Sequence, residues 1–181
     1  PATSAKLWDP HGLVVDGAGN LLIADTEHHR IRRVDASTQV ITTIAGTGTE
    51  GATGDGGPAT AATLAYPDGL ALDSHGNLLF ASGTRIRRID ARTAVITTVA
   101  GGGSSYGEGG PANLAALDGP SGVSVDAAGS IYITEPWIGR LRKVDGSTGF
   151  ISTLARNEVQ GCYGDGGPAA DAGLTIPRGV R

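Results

Sequence analysis

One recurring slot in this 181-residue chain is filled by four side chains of unlike chemistry. The slot is the middle of Pro-x-Gly, and it holds His11, Asp68, Ser121 and Arg178. An imidazole, a carboxylate, a hydroxyl and a guanidinium together offer every kind of donor and acceptor a polar ligand needs. His11 and Asp68 would also make two ligands for Ca²⁺ or Zn²⁺. They would not suffice alone, since zinc takes three or four convergent ligands and calcium six to eight oxygens. His28 and His29 are neighbours whose side chains point apart, so they do not complete such a set. The single acids Asp55, Glu108 and Asp165 each sit beside glycine in separate loops, where they read as turn formers. Cys162 is the one cysteine, with no basic cluster beside it, which points to neither a disulfide framework nor an activated thiol. Gly46-Thr47-Gly48-Thr49-Glu50-Gly51 fits G-x-G-x-x-G, but a dinucleotide site needs a following helix in a βαβ unit. No cofactor is therefore expected.

The slot recurs because the chain repeats. Pro10-His11-Gly12-Leu13 returns as Pro67-Asp68-Gly69-Leu70, Pro120-Ser121-Gly122-Val123 and Pro177-Arg178-Gly179-Val180. Arg30-Ile31-Arg32-Arg33-Val34-Asp35 returns at Arg85–Asp90 and as Arg140-Leu141-Arg142-Lys143-Val144-Asp145. Asp55-Gly56-Gly57-Pro58-Ala59 returns at Glu108–Ala112 and Asp165–Ala169. The anchors keep one order and define units 1–57, 58–110 and 111–167, with 168–181 opening a fourth.

Each unit reads as strands. Gly12–Asp16 is a short apolar run closed by the turn cluster Gly17-Ala18-Gly19-Asn20. Leu21–Ala24, Ile31–Val34 and the β-branched Val40–Ala45 follow, separated by further turns. Four such strands make an antiparallel meander. At most, Pro58–Leu64 and its equivalents form one helical turn, begun by proline. Leu13-Val14-Val15 and Leu21-Leu22-Ile23-Ala24 are apolar on both faces, so each sheet is covered on both sides. Small sheets sandwiched by their own copies are the blades of a β-propeller.

Alternate connections of a meander share an end. The turns at Asp16–Asn20 and Asp35–Gln39 and their equivalents are short and alike, hence structural; His75 falls among them. The other end collects what varies: Asp25–His29, Ser82–Thr84, Glu135–Gly139 and the long Gly-rich connections. Variable loops on a rigid frame are where binding concentrates. Pro-x-Gly lies at this end, where the chain enters its innermost strand. Trp137, Tyr106 and Tyr163 lie there too and are candidate partner anchors.

The run Gly12-Leu13-Val14-Val15-Asp16, Gly19-Asn20-Leu21-Leu22-Ile23-Ala24-Asp25-Thr26, Arg30-Ile31 resembles the NHL repeat, and the likeness extends over all three units. Unit two departs with Ser82-Gly83-Thr84, and unit three has Ser130 where the others have Asn20 and Asn77. The resemblance implies a six-bladed β-propeller, of which this chain holds three blades. The Asp-Gly-Gly-Pro-Ala loops resemble bacterial, often extracytoplasmic or secreted members and the teneurin-like propeller. Some propeller lyases and lactonases hold a metal at the mouth with His, Asp, Glu or Asn, which makes a metal-dependent enzyme using His11 and Asp68 the alternative to a binding module.

Composition narrows the partners. Net charge is −4 and aromatic residues are 4% of the chain, which excludes a generic nucleic-acid binder. An aspartate closes each Arg-rich run, at Asp35, Asp90 and Asp145, so those arginines read as ion-paired or as a solvated rim. No apolar run approaches the roughly 18 residues of a membrane span. The expectation is an all-β scaffold, one propeller domain or a fragment of a longer chain. It would bind a protein, peptide or glycan through its variable end, and its open blade edges invite self-association.

Overall fold

The structure, a computed structural model, describes residues 1–105, 107–156 and 164–180. The first sheet holds β1 (Pro10–Val15), β2 (Leu21–Asp25), β3 (Arg30–Val34) and β4 (Ile41–Ala45) in that order. The second holds β5 (Leu70–Leu72), β6 (Leu78–Ser82), β7 (Arg85–Ile89) and β8 (Ile96–Gly101). The third contains β9 (Gly110–Pro111), β10 (Val123–Val125), β11 (Ile131–Glu135), β12 (Arg140–Val144) and β13 (Phe150–Arg156), ordered β10-β11-β12-β13-β9. All neighbouring strands are antiparallel. Single 3-10 turns follow Pro1, Pro58, Pro111 and Pro168, and there is no α-helix among the described residues.

The short turns are tied by repeated hydrogen bonds. Asp73 accepts the His75 and Asn77 amides and the Asn77 side-chain N–H, while the Asn77 side-chain oxygen Oδ1 accepts the Ala91 amide of the next turn. Asp16, Asn20 and Ala36 do the same in the first sheet. In the third sheet the shorter Ser130 takes over and accepts the Gly146 amide at 3.3 Å. The two turns draw together to suit it: a Cβ on Gly146 would lie 2.4 Å from the Ala128 carbonyl oxygen. Serine in place of asparagine therefore requires glycine where the other sheets carry Ala36 and Ala91.

The apolar cores lie between sheets. Leu22, Ala24, Ile31, Leu78, Phe80 and Ile96 fill the space between the first and second sheets. Leu79, Ala81, Ile86, Val123, Ile133 and Ile151 fill that between the second and third. Strand β6 thus sends alternate residues into two cores, as its apolar character on both faces requires. Ala59, Ala62 and Leu64 enter the first core from the connecting segment, and Ala112, Ala115 and Leu117 enter the second.

The Gly-rich connections do more than join sheets. After Gly46 the chain reaches the outer edge of the second sheet, where the Gly56 amide donates to Ile96 and the Ile96 amide donates to Gly57. In the third sheet the same segment is regular enough to be β9, paired with Phe150 and Ile151. Each connection covers an edge strand that would otherwise present unpaired backbone groups. The acids in these loops fasten the cover. Asp55 lies 2.7 Å from the fully buried Arg87, and Glu108 lies 3.3 Å from the fully buried Arg142. Their role is therefore ion pairing to the sheet each connection covers rather than turn formation alone.

Candidate functional site

Each Pro-x-Gly slot is entered through a residue with left-handed backbone. Asp9, Tyr66, Gly119 and Ile176 have φ of 48°, 45°, 54° and 49°. Such values are costly for Tyr and more so for β-branched Ile. A side chain from β2, β6 or β11 holds the entry in place. Asp25 accepts the Trp8 amide at 2.8 Å, the Ser82 hydroxyl accepts the Ala65 amide at 2.9 Å, and Glu135 accepts the Asp118 amide at 2.6 Å. All three side chains are buried. Burial pushes the Glu135 carboxyl above its ordinary range, against the pull of the Asp118 amide and of Arg142.

The glycine of Pro-x-Gly answers to the neighbouring sheet. A Cβ on Gly12 would lie 2.8 Å from the Asp68 carbonyl oxygen. On Gly69 it would lie 2.3 Å from that of Ser121, and on Gly122 it would lie 2.4 Å from that of Arg178. Each glycine admits the backbone of the next slot residue, so the repeated motif sets the spacing of the slots around the axis. Thr26 and Thr134 donate hydroxyl hydrogen bonds to the carbonyls of Pro67 and Arg178, which fixes two of these approaches from the side.

The result is a cleft of about 610 Å³ that brings His11, Asp68, Ser121 and Arg178 together. His11 is flanked by two carboxylates, with Nδ1 3.5 Å from Asp68 and Nε2 3.3 Å from Asp9. Burial raises the Asp68 carboxyl above its usual value, opposed by His11, by the Gly69 amide and by Arg178. The Ser121 hydroxyl oxygen is buried without a hydrogen-bond partner. Leu13, Leu70, Val123 and Val180 continue the wall inward.

A second opening of about 450 Å³ adjoins the cleft and shares its four polar residues. Gly83 lies on its wall, because the loop after β6 has only two residues where the first and third sheets have four. Trp137 and Tyr66 flank the notch. Trp137 is 81% exposed, yet its ring is seated, since a Cβ on Gly119 would lie 2.6 Å from its Cδ1. The Tyr66 ring meets His29 edge-on at 4.8 Å. Tyr66 escaped the sequence reading, although its place directly before Pro67 marks it as a rim residue. Tyr106, Tyr163 and Cys162 lie outside the described residues. His28 is 2.8 Å from Asp25 and away from the cleft residues, and His75 lies in the short-turn end. Among the described residues no group of three or more His, Cys, Asp or Glu side chains is placed to hold a metal ion, and no helix is long and apolar enough to cross a membrane.

Four-stranded meanders packed face to face, with their first strands around one cleft, define a β-propeller. Solved structures agree. A Bacteroides thetaiotaomicron protein of unknown function superposes with a TM-score of 0.68 at 20% identity, over 94% of this chain and 41% of that one. An auxiliary nutrient binding protein from Bacteroides ovatus gives 0.65 at 15% identity, over 98% and 44%. Virginiamycin B lyase from Staphylococcus aureus gives 0.55 at 16% identity, over 83% and 42%. The chain thus spans less than half of each of these solved propellers. Residues 7–34 match the NHL repeat, and residues 47–106 match the Teneurin NHL domain. Teneurin-3 of Danio rerio is 40% identical over 95 residues, 46% of this chain and 4% of that protein. Human NHL repeat-containing protein 2 is 36% identical over 101 residues, 53% of this chain and 14% of that protein. The chain thus carries NHL-repeat sequence over residues 7–34 and Teneurin NHL sequence over residues 47–106, on the all-β fold of the solved β-propellers.

Proposed function

We propose that the protein is a non-catalytic binding module whose variable end, centred on the His11–Asp68–Ser121–Arg178 cleft, takes up a protein, peptide or glycan ligand. Units 1–57, 58–110 and 111–167 would form half of a six-bladed ring, with 168–181 opening a further blade. The outer blade faces would join further blades or a second copy. The observation that carries the reading is the contrast within one motif: proline and glycine recur to hold geometry, while the residue between them differs every time and faces one shared cleft. Exposed Trp137 and Tyr66 beside it supply the amphipathic area common at binding hot spots.

The test is to probe a displayed peptide library and a printed glycan array with the intact protein and with a His11→Ala/Arg178→Ala variant of unchanged melting temperature. Ligands that the variant no longer retains are expected. Ligands retained equally by both would overturn the reading. A metal-dependent lyase or lactonase is the second reading, favoured by the close His11 and Asp68 pair and by the fold shared with virginiamycin B lyase. Elemental analysis of the purified protein separates the two, since stoichiometric Ca²⁺ or Zn²⁺ that is lost in an Asp68→Ala variant would favour the enzyme.

A further inference from the structure

The notch beside the cleft has a chemistry of its own. One wall is the open face of Trp137, whose ring is seated against Gly119. Tyr66 lines the notch as well, braced by His29 through the ring contact and by the Tyr66 amide, 3.3 Å from the His29 Nδ1. Asp68, Arg178, His11 and Ser121 share the same lining. Aromatic faces carry negative π density that attracts positively polarised C–H groups. The planar carboxylate, guanidinium and imidazole offer acceptors and donors side by side, which matches hydroxyl groups that both give and take hydrogen bonds.

Two further observations narrow the ligand. The main chain at two of the slots is already engaged. Pro10, Pro67 and Pro120 have no N–H, and the Asp68 and Ser121 amides donate to Ala81 and Thr134 of their own sheets. At the Asp68 and Ser121 slots recognition therefore falls to side chains. Charges of both signs also meet at the mouth: Asp68 interacts with both His11 and Arg178, and Asp9 flanks His11 from its other nitrogen. An opening of about 450 Å³ falls in the range of small-ligand pockets, roughly 300–1,000 Å³.

We propose that this notch is a carbohydrate subsite, in which a neutral pyranose stacks its C–H face on Trp137 and presents its hydroxyls to Asp68 and Arg178. The inference rests on the binding-module reading and names its ligand class. The Ser121 hydroxyl, which has no partner, would gain one by rotating toward a sugar hydroxyl.

The experiment is a fluorescence titration of the intact protein carrying Trp8→Phe, which leaves Trp137 as the one tryptophan. The probes are the methyl glycosides of glucose, galactose, mannose, fucose and N-acetylglucosamine. At least one is expected to give a saturable quench or blue shift, with affinity on the order of millimolar for a single sugar. Asp68→Asn should weaken it at least about tenfold, as loss of a charged acceptor does. Trp137→Phe should keep binding and Trp137→Ala should lose it, both followed by calorimetry. If no glycoside binds while displayed peptides bind in an Asp68-dependent way, the carbohydrate assignment falls and the binding module stands. If neither class binds in a way that depends on the cleft, both fall. Sugar binding unchanged in Trp137→Ala would place the sugar elsewhere and overturn the subsite.

Discussion

The two ends of this propeller are built from the same repeat and obey opposite rules. At the short-turn end, Asp16, Asp73 and Asp126 each collect the amides of their own turn, and Asp35, Asp90 and Asp145 each collect amides and hydroxyls from theirs. At the mouth, the equivalent slots hold His11, Asp68, Ser121 and Arg178. Where the backbone itself must be satisfied, one solution is reused. Where the backbone is satisfied by other means, by proline, glycine and the Asp25, Ser82 and Glu135 braces, the side chain is released from structural duty. The difference teaches that diversity at the mouth depends on the sameness of its supports.

Removing a turn bridge has the largest expected effect. Asn77→Ala leaves the Ala91 amide and the second Asp73 oxygen without their partner, at a cost of about 1–3 kcal/mol. Denaturant midpoints should fall accordingly, with ligand affinity at the mouth unchanged for the folded fraction. An equal loss from Ser121→Ala would erase the distinction between the ends.

Acid should act with opposite sign at the two ends. Burial raises the Asp73 carboxyl, but hydrogen bonds from Asn77 and the His75 amide outweigh it, and its proton affinity ends below the ordinary value of 3.8. A group depressed on folding contributes stability above its unfolded value and loses it as pH falls through the folded one. Asp68 is raised above 3.8, so its contribution is fullest in acid and is lost as pH rises through its folded value. Asp73→Asn should therefore lower stability at about pH 7 and converge with wild type in strong acid. Asp68→Asn should raise stability at about pH 7, and that gain should vanish below the ordinary carboxylate range. Denaturation series at both pH values measure each sign, and parallel behaviour of the two variants would contradict the assignment.

The smallest expected effect is at Ser121. Its hydroxyl is buried without a partner, so Ser121→Ala should leave stability unchanged or raise it by a few tenths of a kcal/mol. A thermal scan resolves this, and a clear loss would reveal a structural role for the slot residue.

Much of this was legible in the residues. The recurring anchors pointed to repeated antiparallel sheets, and the doubly apolar runs to sheets covered on both faces. Three features were not legible, each for a physical reason. The glycine of Pro-x-Gly reads as a turn residue, whereas Gly12, Gly69 and Gly122 are required by the next sheet's carbonyls, a contact between positions more than fifty residues apart. Asp25, Ser82 and Glu135 look like loop residues of unrelated type, and only geometry shows that all three accept the same amide. Asp55 and Glu108 sit beside glycines, and their arginine partners lie more than thirty residues onward.

The covering strand carries one more implication. In both described instances an acid of the covering connection grips an arginine of the sheet it covers, Asp55 with Arg87 and Glu108 with Arg142. A joint with the same two halves every time does not record which unit stands on which side. Units could be exchanged, duplicated or reordered at the gene level without mismatching their seams. Each new order would set His11, Asp68 and Ser121 in a different sequence around the opening. A small stock of interchangeable parts would then yield many distinct mouths, with no new fold to invent.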